Sequence, residues 1–92
     1  MDEGKLSGEH SRGERAKALM RDPLIIEAFD VLGNKYTEAW KDSSSSLDER
    51  ETLFQMYQAL MVVRGHLTEI IETGDLAKLE LDSARFRRGD KI

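Results

Sequence analysis

Leu53, Met56, Leu60, Val63, Leu67 and Ile70 recur at alternating spacings of three and four, which draws an a/d apolar seam down one side of a long helix. A seam of that kind needs a cover. Ile25, Phe29, Leu32, Tyr36 and Trp40 supply a second stripe upstream at helical spacing, so the two segments are expected to bury each other as an antiparallel hairpin. The stripe on the second helix is wider than its a/d line, because Phe54, Tyr57, Met61 and Ile71 flank it. One shorter helix does not shield that width, and uncovered apolar surface marks an interface. Two readings of the seam stay open, an ordinary hairpin core and a self-associating coiled coil.

Punctuation sets the expected boundaries. Ser11-Arg12-Gly13-Glu14 has the form of a capping box, which starts a short helix near Arg12. Asp22-Pro23 breaks that helix and caps the next, since proline disfavours α geometry before it but suits a first helical turn. The next helix is expected over about 23–42 and is followed by the turn-forming serines 43–46. Ser46-Leu47-Asp48-Glu49 is a second capping box with acids in the first turn, so the longer helix starts at Leu47. Gly74 reads as its stop, giving a helix over about 47–73. The expected fold is therefore all-α, divided into a flexible polar arm (1–11), a helical hairpin domain (12–75) and an extended basic tail (76–92), in which Leu79-Glu80-Leu81 alternates like a short strand or clamp.

Ninety-two residues form one small domain, a size at which association often supplies stability that the core lacks. With 35% charged residues and no apolar run of the ~18 residues that span a bilayer, no membrane role is expected. The first residues lack the apolar core of a secretory signal, so synthesis in the cytoplasm is expected. The chain has no cysteine, which removes disulfides, thiolate nucleophiles and thiolate metal sites together.

Charge is uneven. Residues 47–75 hold six acids against Arg50 and Arg64, whereas 76–92 hold five bases against three acids. Nucleic-acid affinity rests on neutralising phosphates, so only the tail, with Arg85, Arg87 and Arg88 around Phe86, offers such a surface. The same arginines equally suit electrostatic docking on the acidic body of a neighbour. Arg88-Gly89-Asp90 spells an adhesion tripeptide by coincidence.

No catalytic, cofactor or metal constellation is present in the sequence. His66 lies three and six residues before Glu69 and Glu72, but the only other histidine is His10 in the arm, and no local histidine pair can be written. The serines sit in caps and the linker. Trp40 and Tyr36, one turn apart, either anchor a partner or close the end of the hairpin. Met20, Met56 and Met61 fit a helical core or an adaptable surface.

Arg15-Ala16-Lys17-Ala18-Leu19 with Asp22-Pro23-Leu24, Glu27-Ala28-Phe29-Asp30, Ala39-Trp40, Arg50-Glu51 and Val63-Arg64-Gly65-His66-Leu67 through Ile70-Ile71-Glu72-Thr73-Gly74 resemble a family of small helical proteins. Its members are encoded by tailed bacteriophages and prophages among or near head and packaging genes. The resemblance spans roughly residues 15–77 and brings no enzymatic motif with it. It implies a non-enzymatic structural or assembly protein of the phage, made in the host cytoplasm and incorporated in the virion. Such a protein would bind copies of itself or a larger head or head-to-tail protein. Two alternatives accompany it: a small DNA-packaging oligomer that binds DNA, and a regulator of a host protein.

Overall fold

A computed structural model describes residues 2–89; Met1, Asp90, Lys91 and Ile92, the outer ends of the expected arm and tail, lie outside them. The described residues are all-helical, with no strand: α1 (Glu3–Arg21), α2 (Pro23–Lys41) and α3 (Leu47–Arg87).

Three boundaries follow from side chains that satisfy orphan amides. Asp2 Oδ1 accepts from Lys5 N at 3.1 Å and starts α1, so the helix begins at Glu3, nine residues before the expected start at Arg12, and occupies the stretch expected as an arm. Asp22, in extended backbone, accepts from Leu24 N at 2.8 Å and places Pro23 in the first turn of α2, as its dipeptide predicts. Ser46 Oγ accepts from Glu49 N at 3.1 Å and opens α3 at Leu47. Between α2 and α3, the Asp42 carboxylate accepts from Ser44 N at 2.9 Å and from Ser44 Oγ at 2.7 Å. Those two bonds, the backbone one foremost, hold its carboxyl below the usual range.

The far end of α3 differs from expectation. Gly74 does not stop it; the helix runs on for 13 residues to Arg87 and takes in Leu79-Glu80-Leu81, expected as a short strand or clamp. The stop is Gly89, at φ +77°, whose N–H bonds the Phe86 carbonyl at 3.0 Å in the manner of a left-handed C-terminal cap. The reason lies in the heptad. Leu53, Leu60, Leu67, Gly74 and Leu81 are seven apart, so Gly74 is a small member of the seam.

The chain divides into two compact units, one formed by residues 1–19 with 67–92 and the other by residues 20–66, so α3 contributes to both. In the first unit α1 runs antiparallel to the end of α3. Leu6 packs with Ala77 and Leu81, Lys17 Nζ reaches Asp75 Oδ1 at 2.6 Å, and Arg88 pairs with Glu3. The hydrogen bond to Asp75, with a second to Glu14, raises the Lys17 pKa. Gly13 and Gly74 meet at the crossing: a Cβ on Gly13 would stand 2.9 Å from Gly74 Cα, and one on Gly74 would stand 2.8 Å from Gly13 Cα. Two backbones approach that closely only where neither residue has a side chain. This unit holds every buried apolar side chain among the described residues: Leu6, Ala16, Ala77 and Leu81.

In the second unit, Arg50 lies 5.8 Å from the Trp40 ring centre, Gly33 faces Tyr57 and Leu60, and Phe29 and Arg64 line one small cavity. Partners move forward along α3 as they move back along α2, so these helices are antiparallel too. Ile25, Phe29, Leu32 and Tyr36 of α2 and Leu53 and Leu60 of α3 are half-buried. No residue from Met20 to His66 is buried.

Candidate docking surface

A two-helix layer can hide only the stripe that each helix turns toward the other. The second unit shows the consequence. Among the described residues, ten of the fourteen large apolar side chains that stand exposed fall between Met20 and His66.

On one side of this layer, Tyr36, Thr37 and Trp40 of α2 and Leu53, Phe54 and Tyr57 of α3 line an open groove of about 340 Å³. Helical spacing positions each: Tyr36 and Trp40 are one turn apart, as are Leu53 and Tyr57, and Phe54 stands one residue outside the seam. Thr37 turns its hydroxyl back to the Gly33 carbonyl at 2.7 Å, so the polar atom is satisfied and its methyl is left for the groove. Trp40 is 46%, Phe54 48% and Tyr57 38% exposed. Arg50 sits at the rim, over the Trp40 ring and donating Nη2 to the Asp42 carbonyl at 3.3 Å. Aromatic rings with a stacked guanidinium are the side chains that dominate protein interfaces. The groove offers shape and apolar contact.

The residues expected to pack the hairpin separate into three sets. Ile25, Phe29, Leu32, Tyr36, Leu53 and Leu60 line the second unit's helix pair, while Trp40 remains nearly half-exposed in the groove. Leu67 and Ile70 belong to the first unit, where the Ile70 carbonyl lies against Gly13 of α1. Met56 and Val63 are exposed, because the face of α3 that meets α2 is centred on Arg50, Leu53 and Leu60.

Among the residues expected to face a partner, Phe54 and Tyr57 are exposed in the groove, whereas Met61 and Ile71 are half-buried. Ile71 is drawn into the first unit by the helix beyond Gly74. Of the basic residues, Arg85 and Arg87 are exposed in the last turn of α3, and Arg88 is engaged by Glu3 of the same chain. Arg85 and Arg87 thus extend from a helix and not from an extended tail, and Arg88 follows in the turn after it. His10 lies on α1 and His66 on α3; among the described residues no three His, Asp or Glu side chains gather as a metal site would require.

Sequence reasoning passed over a second surface: Leu24, Ala28 and Val31 on α2 and Met56, Ala59 and Val63 on α3 are all exposed. Its signal was the four- and three-residue spacing of Leu24, Ala28 and Val31 beside the stronger Ile25 stripe. Comparison of the chain with protein-family models, with curated proteins and with solved structures finds no match.

Proposed function

We propose that this chain is a non-enzymatic docking protein whose second unit attaches to other protein through apolar helical faces. The observation that carries the reading is the combination, over residues 20–66, of no buried residue with ten exposed large apolar side chains. Solvated monomers rarely leave such surface uncovered. The aromatic groove suits an apolar partner helix, with Trp40, Phe54 and Tyr57 as anchors and Arg50 at the rim.

The sequence resemblance sets the context as assembly of a tailed phage particle, where the partner is a head or head-to-tail protein. Photo-crosslinking tests this. With a photo-reactive phenylalanine at position 54 of the chain made during phage growth, purified particles are expected to contain it joined to a head or connector protein. Particles free of the chain would contradict a virion role.

A further inference from the structure

The face opposite the aromatic groove carries a stripe of its own. Leu24, Ala28 and Val31 share one side of α2, and Met56, Ala59 and Val63 share one side of α3; all six are exposed. We propose that a second copy of this chain covers this stripe with its own identical stripe, two antiparallel pairs forming a four-helix assembly. The inference rests on reading residues 20–66 as a docking unit, and it names the occupant of that unit's second face.

Three observations point to a second copy. The first is area. The chain exposes 7165 Å² for 10.5 kDa. A compact monomer of that mass exposes roughly 5,400 Å², which leaves an excess of about 1,700 Å². A stable dimer needs about 800 Å² from each partner, so an excess of this size is enough for one self-interface.

The second observation lies within α3. Met56, Val63, Ile70, Ala77 and Ala84 form a single heptad line. In the first unit α1 covers this line: Ala77 is 2% exposed, and Ile70 and Ala84 are half-buried. In the second unit the same line is open, with Val63 at 55%. Where α1 lies beside α3, this line takes it.

The third observation is self-complementarity. A two-fold interface meets its own copy, so its surface must suit itself. Each helix here offers two large aliphatic side chains around one alanine, Leu24 and Val31 about Ala28, and Met56 and Val63 about Ala59. Small residues between large ones let facing layers interdigitate. The groove's bulky aromatics lack that pattern.

Sedimentation equilibrium of the full chain tests the proposal. The wild type is expected at twice 10.5 kDa at micromolar concentration. Val31→Ala and Val63→Ala, exposed positions where alanine favours the helix, are expected to keep helicity by circular dichroism. Combined, they should raise the dissociation constant at least tenfold, while Phe54→Ala leaves it unchanged. A dimer lost in Phe54→Ala but indifferent to the valine changes would overturn the proposal by assigning the groove to self-association. A wild type that is monomeric at every concentration would also overturn it. In that case crosslinking from position 54 still decides whether the unit docks on another protein.

Discussion

At Gly13 and Gly74 one missing carbon atom on each side sets the approach of α1 to α3. A Cβ on Gly13 would stand 2.9 Å from Gly74 Cα and 3.2 Å from the Ile70 carbonyl oxygen, both backbone atoms that cannot rotate away. Intrinsic propensity favours alanine over glycine in a helix by ~1 kcal/mol, but overpacking of this kind costs about 1–3 kcal/mol. Gly13→Ala is therefore expected to lower the thermal midpoint. Gly8→Ala, on the same helix with nothing within 4 Å, should raise it. Circular-dichroism melts of the two variants check the opposite signs; a rise in both would mean that the crossing is looser than described. Leu6, Gly13 and Met20 are spaced by seven, as are Leu67, Gly74 and Leu81, so the pairing was written in the sequence. It stayed hidden because glycine is ordinarily read as a breaker, and only a partner backbone reveals it as a contact.

α2 and α3 begin where an aspartate and a serine side chain satisfy an amide, and these two starts were the most legible part of the fold. Asp22 and Ser46 cap α2 and α3 at the positions their sequences predict. Ser46→Ala should cost about 0.5–2 kcal/mol by leaving the Glu49 amide without its acceptor. Urea titration followed at 222 nm measures it, and an unchanged midpoint would show that water replaces the hydroxyl at no cost. Less legible were the ends set by tertiary contact. α1 shows a weak apolar pattern, with Leu6, Gly13 and Ala16 its buried residues, so its first turns resemble a polar arm until α3 lies beside them. α3 passes Gly74 because α1 covers it there, and it ends at Gly89, where the backbone turns left-handed. The aromatic groove was legible in part: Phe54 and Tyr57 emerged as residues outside the seam. The aliphatic stripe was not, since its residues adjoin stronger core positions and only their exposure sets them apart.

For the whole molecule, the distribution of burial matters more than its total. Among the described residues, Leu6, Ala16, Ala77 and Leu81 are the buried apolar ones, all in the unit built from α1 and the end of α3. The unit of residues 20–66 has no buried position, so on the docking reading proposed above its helices depend on what covers them. On that reading association adds stability by mass action, and dilution removes it. Amide hydrogen exchange of the full chain across a dilution series tests this most directly. Protection over 23–41 and 47–66 is expected to fall as the chain is diluted, ahead of any loss in residues 3–19 and 67–87. Protection of 23–41 and 47–66 that is strong and unchanged at every concentration would contradict the account.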